Sequence, residues 1–241
     1  MKPFSGQVSV ITGASSGIGK AIALGLAAKG AMVCLVGRSL PALENVAARA
    51  EPEACCRCYR ADLGRPLEVD RLGAELRHDF AYIDILVHSA GTISLGSIAN
   101  QSAADFDQQY HVNLRAPFAL TQHLLPQMKA RGGQVVFVNS TAALRPGPQA
   151  GQYAATKASL RALADSLRDE VNAEGMRVLS VFVGRTATPM QAAVHCFEGK
   201  QYRADMLIQP DDVASVIIGS LALARTAEVT EITMRPMRKS S

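Results

Sequence analysis

The chain has 241 residues, of which 48% are hydrophobic and 19% charged, so it is long enough to bury a sizeable core and shows no sign of disorder. Its formal net charge is only +4, and the single basic cluster is the tail at 235–241, which argues against nucleic-acid binding. No run approaches the about 20 apolar residues of a membrane span, no signal-peptide pattern opens the chain, and five cysteines are an odd number for a disulfide framework, which together favour a cytoplasmic protein.

Seven short apolar runs predict strands, in chain order at 7–12, 31–37, 55–63, 83–91, 133–140, 176–184 and 228–234. Most runs are continuous rather than alternating, which indicates strands buried on both faces of a parallel sheet. The longer segments between them carry apolar residues at helical spacing, as Ile18, Ile22 and Leu26 do after the first run. This alternation predicts an α/β fold with a doubly wound parallel sheet of about seven strands and helices on both faces. Because no linker or internal repeat interrupts the chain, residues 1–241 are predicted to form one domain.

The first predicted strand runs into TGASSGIGKA, Thr12–Ala21, which has the small and hydroxyl residues of a phosphate-binding turn. An ATP-binding loop is excluded, because alanines occupy the positions of its first glycine and of its magnesium-binding hydroxyl. A dinucleotide fold needs glycines that let the backbone approach a pyrophosphate at a helix N-terminus, and Gly13, Gly17 and Gly19 meet that need. A merely structural glycine turn is the alternative at this point.

Tyr153 and Lys157 lie four residues apart at the start of a predicted helix, so both side chains project from one face. An ammonium beside a phenol favours the phenolate, and lowering a tyrosine pKa from about 10 to near neutrality takes on the order of 4 kcal/mol. Such a tyrosine can give a proton to a carbonyl oxygen or take it back. Ser140 ends the fifth predicted strand, where its hydroxyl can orient the same oxygen. The alternatives are a surface helix pair and a capping or turn serine.

Together, TGASSGIG after the first strand and YAATK far downstream resemble the short-chain dehydrogenase/reductase family, in its compact single-domain branch. The resemblance runs from Val8 to about Pro236 and implies a Rossmann-type fold. It implies hydride transfer between a nicotinamide cofactor and a ketone, an aldehyde or a secondary alcohol. It also adds Asn113, in HVNLRAPF, to Tyr153, Lys157 and Ser140 as the catalytic group, with Asn113 holding a water for proton relay.

The second predicted strand ends at Gly37-Arg38-Ser39, where an NAD enzyme would place an acidic residue against the ribose hydroxyls. Arg38 can instead contact a 2′-phosphate and Ser39 can add a hydroxyl, so NADP(H) is favoured over NAD(H). A solvated loop arginine is the alternative. With the resemblance, the predicted cofactor-binding residues are Thr12, Gly13, Ser15, Ser16, Gly17, Ile18, Gly19, Arg38, Ser39, Asp62, Leu63, Ala90, Gly91, Tyr153, Lys157, Gly184, Thr186 and Thr188.

Three of these positions have specific implied roles. Asp62 matches the residue that contacts the adenine amino group, although an aspartate there can also cap the next helix. Thr186 would offer its backbone, and Thr188 its hydroxyl, to the nicotinamide carboxamide. The segment 188–209, called the lid below, corresponds to the mobile cover of the substrate in the family, and its apolar residues suggest a hydrophobic carbonyl compound: Met190, Val194, Phe197 and Met206.

Two positions depart from the family pattern. His88 stands where the family has an asparagine that ties neighbouring strands, and it is expected to replace one of those hydrogen bonds. Val183 stands where the family has proline before Gly184, which leaves the following loop freer.

The cysteines at 55, 56 and 58 include a Cys-x-x-Cys spacing, but the sequence offers no second ligand pair, so no metal site is predicted. They are instead interpreted as structural residues of a buried strand. The family resemblance also implies a homodimer or homotetramer that acts on a small molecule. The competing hypothesis is an NADP-binding sensor or scaffold without turnover; all four catalytic positions are filled, which favours the enzyme.

Overall fold

The computed structural model describes residues 2–51 and 54–237; residues 1 and 52–53, and 238–241 of the predicted basic tail, lie outside the described residues. The strands are Val8–Thr12 (β1), Met32–Gly37 (β2), Cys56–Arg60 (β3), Ile85–His88 (β4), Gln134–Ser140 (β5), Arg177–Val183 (β6) and Glu231–Met234 (β7). The α-helices in this part of the chain are Gly17–Ala28 (α1), Leu40–Ala47 (α2), Pro66–Asp79 (α3), Ala103–Tyr110 (α4), Ala116–Lys129 (α5), Gly151–Val171 (α6), Pro189–Phe197 (α7) and Pro210–Leu221 (α8).

The strands form one sheet in the order β3-β2-β1-β4-β5-β6-β7, and all neighbouring strands pair in parallel. The chain builds outward from β1 to β3, returns to place β4 on the other side of β1, and then builds outward to β7. The direction of winding therefore reverses between β1 and β4, and in such sheets the ligand crevice lies at the carboxyl ends of the strands at this point. The predicted doubly wound, seven-stranded fold is confirmed.

Apolar side chains of the strands pack into two hydrophobic cores, one on each face of the sheet. Ile11 of β1 and Val87 of β4 pack with α1 and α8 on one face. Val10 and Leu86, their chain neighbours, pack with α3, α5 and α6 on the other face. Successive residues of a strand point to opposite faces, so a strand covered on both sides must be apolar throughout. This double burial explains the continuous apolar runs of the sequence.

Strand β3 corrects one prediction. It is an edge strand that pairs with β2, and it is only partly buried: Tyr59 reaches the core, Cys56 and Cys58 are half-buried, and Cys55 just before the strand is exposed. Partial burial raises the pKa of the Cys56 and Cys58 thiols, which disfavours the reactive thiolate. Within residues 2–51 and 54–237, no group of three metal-binding side chains is placed to hold a metal ion.

No helix found in those two ranges is both long enough and apolar enough to cross a membrane.

Candidate active site

A cleft opens at the carboxyl edge of the sheet, above the junction of β1 and β4. It is walled by the turn after β1, the ends of β2 to β6, the start of α6 and the start of the lid. The structure brings fourteen of the predicted cofactor residues onto this wall: Gly13, Ser15, Ser16, Gly17, Ile18, Gly19, Arg38, Asp62, Leu63, Ala90, Gly91, Tyr153, Lys157 and Thr188. The other predicted site residues are not among those that line it: Thr12, Ser39, Asn113, Ser140, Gly184 and Thr186.

The turn after β1 is pressed against the end of β4. Gly13 has a φ of +68°, and a Cβ there would lie 2.8 Å from the backbone nitrogen of Ala90. A Cβ on Gly19 would lie 2.4 Å from the carbonyl oxygen of Gly13. The buried Thr12 hydroxyl ties the same two strand ends, since it donates to Val87 O (3.3 Å) and accepts from the amide of Ala90 (3.2 Å). Only glycine permits so close an approach of backbones.

The N-terminus of α1 faces this cleft. Its N-cap residue is Ser16, whose side chain makes no capping hydrogen bond, so the first N–H groups of the helix are not covered by that hydroxyl. Uncapped N–H groups at a helix N-terminus bind anions such as phosphate. The glycine turn and the helix end together fit the pyrophosphate of a dinucleotide.

Tyr153 and Lys157 lie on the face of α6 that meets the cleft. The Lys157 Nζ is 5.9 Å from the centre of the Tyr153 ring and donates to Val138 O at 3.2 Å. Lys157 is buried, and this burial lowers the pKa of its ammonium to about 8. Burial also raises the pKa of Tyr153, although the hydrogen bond with Ser140 opposes that rise. In the protein alone, loss of hydration therefore outweighs the effect of Ser140, and the phenol is protonated at neutral pH.

Ser140 is held where β5 ends. Its hydroxyl accepts from the amide of Ala142 at 3.1 Å, so Ser140 also makes the contact expected of a turn serine. Its amide donates to the Asn139 side chain at 2.8 Å, and Asn139 Nδ2 donates to Lys157 O at 3.1 Å. Asn139 thus links the strand that carries the serine to the helix that carries the tyrosine. Sequence analysis missed Asn139, although its place beside Ser140 at a strand end was a usable signal.

Asn113 lies in a π-helical segment, His111–Arg115, between α4 and α5. Its buried side chain is fully used, because Nδ2 donates to Thr92 O (2.9 Å) and Thr156 Oγ1 (3.1 Å) while Oδ1 accepts from Thr92 N (2.8 Å). Pro117, four residues on, has no N–H, so the Asn113 carbonyl lacks its α-helical donor. π-Helical turns of this kind occur often at functional sites. The amide side chain of Asn113 is therefore committed to protein partners.

The adenosine side of the cleft carries an unneutralised charge. The guanidinium of Arg38 lines the cleft and makes no hydrogen bond or ion pair with any residue that the structure describes. Ser39 caps α2, since its hydroxyl accepts from Ala42 N at 3.4 Å. Asp62 accepts from Gly64 N at 3.0 Å in the turn before α3 and also lines the cleft, but it does not cap that helix, whose N-cap residue is Arg65.

His88 is buried, and burial lowers the pKa of its imidazole to about 3, so the ring is neutral. Its Nε2 lies 2.8 Å from Thr121 Oγ1 on α5, and its ring stacks on Phe137 at 5.1 Å. The hydrogen bond expected between neighbouring strands is therefore made to a helix. Thr12 provides the bond between β1 and β4 instead.

The lid begins where the loop after β6 ends. Thr188 caps α7 by accepting from Gln191 N at 3.2 Å, and Met190 lines the cleft. The guanidinium of Arg185 donates to both carboxylate oxygens of Glu198, at 2.9 and 2.6 Å, and this pairing lowers the pKa of Glu198. This two-point ion pair joins the loop after β6, the loop that lacks the family's proline, to the end of α7. Thr186 lies buried beside it, and its hydroxyl donates to Gly184 O at 3.0 Å.

Several cleft residues were not predicted: Gly37, Ala61, Ser89, Thr92, Gln108, Val112, Val138, Asn139 and Val183. Pro189 and Met190, which also line the cleft, belong to the predicted lid. Many of them lie at a strand end or within a few residues of one, and that position in a parallel sheet was the signal that could have found them. Gln108 and Val112 come from the α4 region, and no local pattern marks them.

Replacing Lys157 by methionine is expected to stabilise the folded protein at neutral pH. Lowering the lysine pKa from 10.5 to about 8 costs the folded state on the order of 3 kcal/mol while the lysine is charged. Because the folded pKa lies below the unfolded one, this cost disappears as pH rises from about 8 to above 10.5. We expect Lys157→Met to gain about 1–3 kcal/mol at pH 7, measured by urea unfolding, and to gain little near pH 11.

The exposed Lys29 supplies the control for this prediction, since Lys29→Met should change the unfolding free energy by less than about 0.5 kcal/mol at either pH. A gain for Lys157→Met that does not depend on pH would contradict the argument from burial of charge.

Comparison with known proteins gives consistent matches along the chain. The sequence pattern of the family described as short chain dehydrogenase matches residues 7–198. An uncharacterized oxidoreductase of Staphylococcus epidermidis is 30% identical over 232 residues, which are 96% of this chain and 97% of that protein.

Solved structures match over the same length. An alcohol dehydrogenase from the archaeon Thermococcus sibiricus, complexed with 5-hydroxy-NADP, has a TM-score of 0.88 at 26% identity and covers 98% of both chains. A metagenomic short-chain oxidoreductase in complex with NADP has a TM-score of 0.81 at 28% identity, over 98% of this chain and 100% of that one.

Proposed function

This chain belongs to the short-chain dehydrogenase family and is an NAD(P)-dependent oxidoreductase, and we propose that its reaction transfers hydride between NADP(H) and a ketone, an aldehyde or a secondary alcohol. One observation carries the proposal: the half-buried Tyr153 and the buried Lys157 share a single cleft with the glycine turn and with Arg38, whose guanidinium is unpaired among the described residues. An acid–base pair and a dinucleotide cradle in one cleft suit carbonyl reduction.

The residues of the cleft fit such a cofactor. The glycines of the turn let its backbone lie close against the end of β4, where a Cβ would clash, and the uncapped start of α1 offers N–H donors to the pyrophosphate. Arg38 would hold the 2′-phosphate, and Lys157 would hold the nicotinamide ribose. When bound, the nicotinamide supplies the hydride in reduction and accepts it in oxidation.

Tyr153 handles the proton. Its phenol is protonated at neutral pH, because its pKa is raised above the ordinary value, so in reduction the phenol donates its proton to the carbonyl oxygen of the substrate. Ser140, whose side chain interacts with the phenol and lowers its pKa, positions the same oxygen. In oxidation the roles reverse, and the Lys157 ammonium stabilises the phenolate that takes the proton.

The proton is replaced through Lys157 and a water. Lys157 is buried and donates to Val138 O, so solvent does not reach its ammonium directly. The carbonyl of Asn113, deprived of its helical donor by Pro117, would hold the relay water, as the family resemblance implied. The Asn113 side chain has a positioning role, since it clamps Thr92 to Thr156.

Met190 lines the cleft and Phe197 on α7 is exposed, which supports an apolar carbonyl substrate under the lid. Homo-oligomerisation stays a prediction. It is supported by three large apolar side chains exposed on α4 and α5, namely Phe106, Tyr110 and Phe118.

A carbonyl panel tests the proposed reaction. Purified protein is mixed with NADPH or NADH and a series of apolar ketones and aldehydes, and loss of the reduced-nicotinamide absorbance is followed. We expect NADPH oxidation with some members of the panel. Tight NADPH binding without oxidation across a wide panel would overturn the proposed reaction in favour of a sensor or scaffold.

Replacing Arg38 by alanine is expected to weaken NADP(H) binding by about 10- to 100-fold, because hydrogen bonds to a charged group contribute about 1.5–3 kcal/mol. NAD(H) binding should change little, since NAD(H) has no 2′-phosphate. Equilibrium binding of both reduced cofactors, followed by fluorescence, measures the ratio. Arg49→Ala removes an exposed arginine just after α2 and should leave both affinities unchanged. Equal affinity of the wild-type protein for the two cofactors would contradict the proposed NADP(H) preference.

A further inference from the structure

Arg60, the last residue of β3, lies directly beside Arg38. The β2–β3 register pairs Arg60 with Gly37, and the strand pairing continues as the amide of Ala61 donates to Gly37 O at 3.0 Å. The Nε–H of Arg60 donates to the carbonyl oxygen of Arg38 at 3.4 Å. This bond places an exposed guanidinium against the backbone that carries the Arg38 side chain.

Neither guanidinium is neutralised by a carboxylate among the described residues, whereas those of Arg65 and Arg57 are. Arg65 lies 3.7 Å from Asp62 and 3.6 Å from Glu68. Arg57, on the same strand as Arg60, lies 3.5 Å from Asp79. Guanidinium groups without a counter-charge favour an anion bound beside them.

The position of this pair indicates which anion. Gly37, Arg38, Ala61 and Asp62 line the cleft at the ends of β2 and β3, on the side away from Tyr153, and Arg60 immediately precedes this lining without being part of it. In a dinucleotide bound with its pyrophosphate at α1, this is the adenosine side. A 2′-phosphate on that ribose has several oxygens, more than one guanidinium fork can satisfy, and planar guanidinium groups bind phosphate through paired N–H donors.

We propose that Arg60 is a second ligand of the adenosine 2′-phosphate, held in place by its bond to the Arg38 carbonyl. This inference rests on the proposed NADP(H) preference and extends it to a residue on a different strand. Arg60 and Arg38 approach the phosphate from adjacent strand ends, and both set the selectivity for the 2′-phosphate.

Calorimetric binding of two fragments tests the inference without turnover. Adenosine 2′,5′-bisphosphate carries the 2′-phosphate, whereas adenosine 5′-monophosphate lacks it and reports whether the rest of the site is intact. We expect Arg60→Ala to weaken the bisphosphate about tenfold, equivalent to about 1.4 kcal/mol, and to leave the monophosphate unchanged. Arg60→Lys keeps the charge but loses the paired N–H donors of the guanidinium. Its affinity for the bisphosphate should lie between those of the wild type and Arg60→Ala.

Arg38→Ala and Arg49→Ala complete the set. Arg38→Ala should weaken binding of the bisphosphate alone, and Arg49→Ala should change the binding of neither fragment. If Arg38→Ala loses selectivity while Arg60→Ala keeps it, or if Arg60→Ala weakens both fragments equally, the role of Arg60 is overturned and the NADP(H) proposal stands. If the wild-type protein does not distinguish the two fragments, the NADP(H) preference itself fails, and the role of Arg60 with it.

Discussion

Replacing Tyr153 by phenylalanine is expected to lower kcat by about 10²- to 10⁴-fold, the usual contribution of a positioned general acid. The phenol is the group on this face of α6 that can donate a proton to a substrate oxygen in the cleft, and phenylalanine keeps the ring while it removes the proton. NADPH affinity should be nearly unchanged, because the glycine turn, Arg38 and Lys157 remain. Single-turnover oxidation of NADPH measures the loss, and equilibrium binding measures the affinity.

Tyr82→Phe is the matched control for this variant. Tyr82 is exposed and its ring lies under the guanidinium of Arg131 at 5.6 Å, a contact that phenylalanine retains. Its turnover should equal that of the wild type. A Tyr153→Phe protein that turns over as fast as the wild type would show that the proposed proton donor is wrong.

Replacing Gly19 by alanine is expected to destabilise the fold by about 1–3 kcal/mol, the usual cost of overpacking, and to impair cofactor binding. In an ordinary helix the same change stabilises, because alanine has the higher helix propensity. Here the added Cβ would lie 2.4 Å from the Gly13 carbonyl oxygen and 2.8 Å from its carbon. Backbone atoms cannot move aside cheaply, so the β1–α1 turn must shift. Urea unfolding and NADPH binding measure the two effects.

Gly219→Ala gives the opposite expectation in the same protein. Gly219 lies in α8, and a Cβ there would meet nothing within 4 Å. This variant should gain about 0.5–1 kcal/mol from propensity alone. Stabilisation by both variants would contradict the close packing described for the glycine turn.

The fold was accessible from the sequence because local periodicity records it. Each strand and helix carries its apolar spacing within one short window, as Ile18, Ile22 and Leu26 do on α1. The partial exposure of β3 could not be predicted from such local spacing. Its cysteine-rich run is apolar enough for a central strand, and only its place in the strand order makes it an edge.

The candidate site divides along the same line. Tyr153 and Lys157 could be predicted because four residues make one turn of helix, and Ser140 because it ends a strand. Gln108 and Val112 could not be predicted, since they reach the cleft from the α4 region, which no local pattern connects with the strand ends. The cofactor and catalytic roles of the predicted residues stay predictions until the variants are measured.

By itself the sequence determined the order of strands and helices along the chain, the glycine turn and the placing of Tyr153 and Lys157 on one helical turn, because each of these depends on residues close together in the chain. The tertiary structure alone decided that Lys157 is buried enough to lower its pKa to about 8, that Arg60 meets the Arg38 carbonyl, and that Arg185 pairs with Glu198. Burial and charge pairing depend on which distant segments are brought into contact, and those contacts exist only once the strands have assembled into the sheet.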